Sequence, residues 1–274
     1  ASGQVGCGEY KETMYRDVFA TNLTVLERYP DRPGVNKPRP IGSGASPDRK
    51  VGNACVVAAA YKDMKELMVK ANNLCHGAEG ASDIIATYFQ IMMEIEDDDM
   101  EENGICSTDG TNGFGSMKRQ QVQIGLEMFL PEKLQWMKLM FWRFHKNESV
   151  LFYRSPKGVL YEIHVTTGFV QGENFSCFWY ALGQAPSLKI MMEEFGRYKV
   201  KSLPFVDDVP FLFKTKKRVK IKDHPTLMEF KWATPENDCP LGKAVMHRWA
   251  QLSKEQMGVE VKLEGKNKNV AFLP

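Results

Sequence analysis

Two rhythms of apolar residues divide this chain near residue 130. Before that point the spacing is helical. "EYKETMYRDVFATNLTVLERY" (9–29) places Tyr10, Met14, Val18 and Val25 near a 3.6-residue period, although Thr and Asn weaken its second half. "ACVVAAAYKDMKELMVKANNLC" (54–75) predicts a helix capped by Asn53, with Val57, Tyr61, Met64, Leu67 and Met68 as its apolar stripe. "ASDIIATYFQIMMEIEDDDMEE" (81–102) reads as a further helix capped by Ser82. The stretch 30–53 carries five prolines with glycines among them and reads as an arm without helix or strand. Its bases Arg32, Lys37, Arg39, Arg49 and Lys50 suit an anionic surface. "NGICSTDGTNGFGS" (103–116) reads as a Gly-rich loop.

From Val150 the period becomes two. "SVLFYRSPKGVLYEIHVTTG" predicts a hairpin turning at Pro156-Lys157-Gly158. "NFSCFWYAL" reads as a strand and "SLKIMMEEFG" as a helix beginning after Pro186. Strands are expected over 197–203 and 211–222, and "CPLGKAVMHRWAQLSKEQMG" as an amphipathic helix ending at Gly258. Strands and helices do not alternate regularly, which argues against a parallel α/β sheet. The expectation is an α+β fold: a mainly helical region 1–130 with the basic arm 30–53, then an antiparallel, β-rich region 131–274 with two packed helices.

Charge alters this picture locally rather than globally. The formal net charge is only +2, yet 94–102 carries seven acids and no base, and 197–222 is strongly basic. "FKTKKRVKIKD" (213–223) has six basic residues in the nine positions from Lys214 to Lys222. On a strand, alternate residues share a face at steps of about 6.6–6.8 Å. Lys214, Lys216, Arg218, Lys220 and Lys222 would then form one row of cations, and Arg197, Lys199 and Lys201 a second. Such rows repel themselves unless anions neutralise them. A nucleic-acid backbone is the obvious polyanion. The competing explanation is an edge strand protected from aggregation by lysines, which needs only one or two charges. "KLQWMKLMFWRFHK" (133–146) adds Trp136, Phe141, Trp142 and Phe144 among Lys133, Lys138, Arg143 and Lys146. Exposed rings beside cations hold single strands by stacking, whereas helical spacing equally suits a core cluster.

Catalytic alternatives are fewer. A metal-dependent nuclease could use Asp208, Asp223 and Glu229 as carboxylates and Lys231 to polarise water or stabilise the phosphorane. His164 and Cys177, on neighbouring expected strands, could meet as base and nucleophile, but no third orienting group is evident. The Gly-rich segments match neither a P-loop nor a dinucleotide fingerprint, and the acidic stretch lacks a calcium loop's final Glu. Cys7, Cys55, Cys75, Cys106, Cys177 and Cys239 are too dispersed for a disulfide framework and favour a reducing, intracellular setting. Sequons at Asn22, Asn147 and Asn174 keep open a secreted or surface glycoprotein acting as an interaction module. No apolar run approaches the roughly 18–20 residues of a transmembrane helix. The sequence reading is therefore a non-enzymatic, cofactor-free and metal-free protein that binds single-stranded RNA through its basic strand faces, self-associating through 94–102.

Overall fold

The computed structural model describes residues 20–26, 39–44, 47–75, 83, 86–87, 102–108, 110–145, 148–202, 204–215, 240–261, 263 and 270–272. Within them lie ten strands: β1 (Thr21–Leu26), β2 (Arg39–Gly44), β3 (Glu102–Thr108), β4 (Gly110–Thr111), β5 (Ser149–Arg154), β6 (Leu160–Val165), β7 (Lys201–Ser202), β8 (Val209–Thr215), β9 (Glu260–Val261) and β10 (Val270–Phe272). The main helices are α1 (Pro47–Lys70), α2 (Arg119–Phe129), α3 (Trp136–His145), α4 (Ser176–Phe195) and α5 (Pro240–Leu252). One sheet runs β2-β1-β5-β6, the other β10-β3-β8-β7, and β4 pairs with β9. All pairings are antiparallel except β1 with β5. The fold is α+β.

Helix α4 sits at the centre. Every residue from Phe178 to Leu188 is buried. A helix apolar on all sides has no amphipathic period to betray it, so its first half reads as a strand in the sequence. Its true length, Ser176–Phe195, carries Pro186 inside it. Proline lacks an N–H and deprives the Leu182 carbonyl of its usual donor four residues on. Helix α2 packs against that segment: a Cβ at Gly125 would lie 2.0 Å from the Leu182 oxygen and 2.7 Å from its carbon. Only glycine permits that approach. Helix α5 closes the core from the other side, where Trp249 meets Phe211 of β8 edge-on at 5.6 Å and Arg248 clamps Glu194 of α4 with contacts of 2.8 and 2.6 Å.

Among the described residues before 130, several strands stand where a helix or loop is expected. Thr21–Leu26, expected within a helix, forms β1; its β-branched Thr21, Thr24 and Val25 favour extended backbone. The Pro-rich arm contains β2 and the beginning of α1, because prolines are tolerated at a sheet's edge and in a helix's first turn. Asn53, expected as a cap, is instead buried inside α1. The supposed loop 103–116 holds β3, a central strand with Cys106 fully buried, then β4 and a single helical turn, Gly113–Ser116. That turn does follow a strand. Both four-stranded sheets draw strands from either side of residue 130.

For the β5–β6 hairpin and for α5 the period is a sound guide. The hairpin β5–β6 turns through Gly158 at φ 83, and α5 continues through a π-turn that stops at Gly258, φ 75. Strand β6 forms the outer edge of its sheet, with Leu160 to His164 exposed. Replacing Gly125 with Ala should lower the unfolding free energy by about 1–3 kcal/mol through overpacking, despite alanine's better helix propensity. Urea denaturation with an unchanged m-value is the check; a stabilised variant would mean that α2 can move away from Leu182.

Candidate site around the Asp207–Asp208 turn

Strands β7 and β8 are joined by a tight turn. Phe205 and Asp208 exchange both backbone hydrogen bonds, 2.9 Å and 3.1 Å, leaving Val206 and Asp207 as the two central residues. Val206 adopts φ 56. A β-branched residue in that region is strained, at a cost on the order of 1–3 kcal/mol, and such strain gathers at functional sites.

A single buried amide holds it there. Asn73, in the loop after α1, is wholly shielded from solvent. Its Oδ1 accepts from the Val206 N–H at 3.3 Å and the Cys75 N–H at 2.8 Å. Its Nδ2 donates to the Val206 carbonyl at 3.4 Å and to Gln184 Oε1 of α4 at 3.0 Å. Two neighbouring bonds tie the same loop to β7 and the turn: Leu74 N–H to the Pro204 carbonyl at 2.7 Å, and Asn72 Nδ2 to the Ser202 carbonyl at 2.8 Å. The outcome is a pair of consecutive carboxylates, Asp207 half-buried and Asp208 exposed, on a rigid tip.

The sheet register sets the end of β3 beside the start of β8. Thr108 of β3 lies opposite Val209 of β8. The residue after Thr108 is Asp109, and the residue before Val209 is Asp208. Asp109 itself lies outside the described residues. Its successor Gly110 leads into the turn at Asn112, φ 50, and the helical turn whose Phe114 stacks on Tyr180 of α4 at 4.8 Å. Among the described residues no trio of His, Cys, Asp or Glu is grouped to hold a metal ion.

Two thiols border the turn. Cys177 lies in the first turn of α4. A hydrogen bond to Cys177, aided by burial, pushes the Cys75 pKa up. Accepting it stabilises the Cys177 thiolate and lowers its pKa, against opposition from burial and from the charge of Asp207. His164 is not their partner: it sits on exposed β6 between Glu148 at 3.0 Å and Glu162 at 3.1 Å, because Cys177 belongs to a helix rather than a neighbouring strand.

The basic residues are dispersed differently from the expected two rows. Arg197 lies in a 3₁₀ turn (Gly196–Tyr198), over the Tyr198 ring at 4.7 Å, and Lys199 is left-handed at φ 57. The chain must reverse after α4, so strand structure begins only at Lys201. Lys201 is exposed and pairs with Leu212 of β8; Lys214 occupies the next position of that parity, opposite Asn103. Lys216, Arg218, Lys220 and Lys222 lie outside the described residues, as do Asp223, Glu229 and Lys231 of the nuclease alternative and the acidic stretch 94–101. On α3, Phe141 and Phe144 are buried, while Trp136 and Trp142 are 40% and 51% exposed, with Lys138 and Arg143 beside them in the helix. Lys133 is committed to Asp63 and Glu66 of α1.

No protein-family model matches the sequence, and no curated protein does. Solved structures do share its fold. Telomerase from Candida albicans, in complex with a TWJ fragment of telomeric RNA, superposes with a TM-score of 0.62 at 10% identity, over 96% of this chain and 44% of that one. Apo telomerase from Candida tropicalis, truncated from its C-terminal domain, gives 0.60 at 9% identity over 94% and 51%. The C. tropicalis telomerase with the TWJ fragment gives 0.55 at 9% identity over 93% and 41%. The chain thus spans about half, or less, of the length of these neighbours. No described helix is long and apolar enough to cross a membrane.

Asn73→Ala should cost about 3 kcal/mol, since it strands at least one buried backbone donor at Val206 or Cys75 and the Gln184 amide. Chemical denaturation measures it. A loss below 1 kcal/mol would mean that the turn keeps its shape unaided.

Proposed function

We propose that this chain is the nucleic-acid-handling core of a polymerase-type enzyme, binding RNA and transferring nucleotidyl groups at Asp207, Asp208 and Asp109. The observation that carries this reading is the strained, amide-clamped Asp207–Asp208 turn, whose sheet register meets the end of β3 where Asp109 follows. The shared fold with telomerases, two of them recorded with telomeric RNA, supports it. A purely binding role, to which the basic residues alone would lead, does not account for the strain held in the turn that carries the two acids.

The donor set suits a hard divalent cation. Consecutive carboxylates supply the oxygen ligands that Mg²⁺ and Mn²⁺ prefer, usually one or two carboxylates with substrate phosphates completing the shell. When bound, such ions stabilise the attacking and leaving oxygens of an in-line displacement at phosphorus. Asn73 fixes the direction of the pair by gripping both polar groups of Val206, so the site needs no rearrangement to receive charge. Lys201, with Lys214 and the basic run that follows it, is assigned to strand phosphates. Trp136 and Trp142 are assigned to base stacking, with Lys138 and Arg143 countering the backbone charge.

Extension of a labelled primer on an RNA template, with nucleoside triphosphates and Mg²⁺ or Mn²⁺, is the direct test. Asp207→Asn and Asp208→Asn should each lower the rate by roughly 10²–10³-fold, the equivalent of several kcal/mol of lost charge stabilisation. RNA affinity, measured alongside by fluorescence anisotropy, should stay level or rise. Cleavage of the strand in place of extension would redirect the reading to a nuclease; undiminished extension in both variants would end it. Separately, Trp136→Ala with Trp142→Ala should weaken single-stranded RNA binding by about 1–3 kcal/mol for each stacked base lost. Unchanged affinity would return those rings to the role of ordinary exposed apolar groups.

A further inference from the structure

Strand β6 is an exposed edge without the usual protection. It is the last strand of its sheet, and among the described strands only β5 pairs with it. Val159, Leu160, Tyr161 and Ile163 are each between 39% and 54% exposed. Natural edges are usually blunted by lysine, proline or a bulge, because a row of outward backbone groups invites another strand. The sequence of β6, "LYEIHV", carries neither residue, and its register with β5 runs unbroken from Ser149↔Val165 to Arg154↔Leu160. The hairpin is also held at both ends. At its base Arg119 donates to Ser149 Oγ at 2.8 Å and to the Val165 carbonyl at 3.3 Å. At its tip the Ser155 N–H donates to the Val159 carbonyl at 2.8 Å, and Ser155 Oγ accepts from the Val159 N–H at 3.2 Å.

We propose that β6 pairs with β6 of a second copy of this chain, across a two-fold axis at Ile163, joining two four-stranded sheets into one. Symmetry restricts the register. A two-fold axis perpendicular to the sheet sets each residue opposite one of its own face. On β6 one face carries Leu160, Glu162 and His164, and the other Tyr161, Ile163 and Val165. The axis must therefore pass through a residue, and Glu162 and Ile163 are the two central choices. With the axis at Glu162, that carboxylate would face its own copy, and like charges directly opposite are destabilising. With the axis at Ile163, isoleucine meets isoleucine, Tyr161 meets Val165, and Glu162 meets His164 twice. A carboxylate that only accepts then faces a ring that can donate. Within one copy His164 already lies between Glu148 at 3.0 Å and Glu162 at 3.1 Å, which holds the ring on that face. Of the two registers, only this one makes the strand complementary to itself.

The contact is modest. One pair of short strands falls below the roughly 1,200–2,000 Å² of a standard stable interface, so the dimer should dissociate with a constant on the order of 10–100 µM. Its surface is separate from the acidic stretch 94–102 expected to mediate self-association. It is also separate from the Asp207–Asp208 turn, which belongs to the other sheet. The pairing therefore does not rest on the polymerase reading.

Sedimentation velocity of the full chain, from about 1 to about 200 µM, is the test, and a monomer should give way to a dimer across that range. Ile163→Lys sets two ammonium groups on the axis and should raise the dissociation constant about tenfold or more, with thermal unfolding of the dilute chain unchanged. Glu162→Lys should act likewise, and adding His164→Glu should restore the dimer, because the swap rebuilds the facing pair. Cross-linking under mild oxidation reads the register. Ile163→Cys should link to its own copy, since facing Cα atoms lie about 4.5–5.5 Å apart, within a disulfide's reach. Val165→Cys should not, because its own copy would stand four residues along, roughly 13 Å away. The parent chain controls for the exposed Cys55 and Cys177. A monomer at every concentration, a dimer that Ile163→Lys leaves intact, or Val165→Cys linking as readily as Ile163→Cys would each overturn the proposal. So would a parent chain that stays monomeric while Ile163→Lys loses affinity for single-stranded RNA, which would make the stacked Tyr153 and Tyr161 an RNA platform instead.

Discussion

The amide of Asn73 is the constraint on which this structure turns. It uses both donor hydrogens and both acceptor directions, to three separate parts of the chain, with no solvent contact. An amide bonded at every position rigidifies its surroundings, although Gln184 Nε2 at the edge of the network is buried without a hydrogen-bond partner. Through it the end of α1, the midpoint of α4 and the β7–β8 turn become one unit. The backbone strain at Val206 persists because its neighbours over-determine it, and the acidic pair inherits a fixed position.

The central helix makes that unit possible. Pro186 removes a hydrogen bond from α4, and Gly125 lets α2 approach the carbonyl concerned, so the two helices lie closer than side chains would ordinarily allow. On the opposite side Arg248 and Trp249 of α5 grip α4 and β8 together. The sheet that ends in the acidic turn thus rests on a core that scarcely yields. Preorganised charge requires such a support.

Part of this was legible in the sequence. Helices with one apolar face, α1 and α5, declared themselves by period, and so did the β5–β6 hairpin with its Gly158 turn. What failed were segments whose environment is uniform. Helix α4 is apolar all round, and β3 is a central strand with Gly104 inside it and Gly110 just beyond; neither carries an alternation to read. Lys214 and its neighbours drew attention because charge is conspicuous in one dimension. The acidic turn was harder to find. Asp208 is legible only as one carboxylate of a nuclease alternative, since nothing local announces that Val206 is strained or that Asn73, far earlier in the chain, reaches it. The register between β3 and β8, which places Asp109's neighbour opposite that turn, exists only after folding. One signal was available: two consecutive acids between short apolar runs, "PFVDDVPFLF", is an unusual burden for a hairpin to carry.

The parallel pairing of β1 with β5 sets the order of events in making the molecule. Thr21 lies beside Leu151 and donates its hydroxyl to Glu173, 152 residues away. Loop closure over such a span is slow compared with forming a hairpin or a helix. During synthesis β1 and β2 leave the ribosome long before their sheet exists, while β5 and β6 can pair as soon as Gly158 has turned. Of the described strands, β1 and β2 are therefore made well before the sheet that houses them is complete. Until then Pro40 in β2, which has no N–H to offer, discourages premature pairing with other chains.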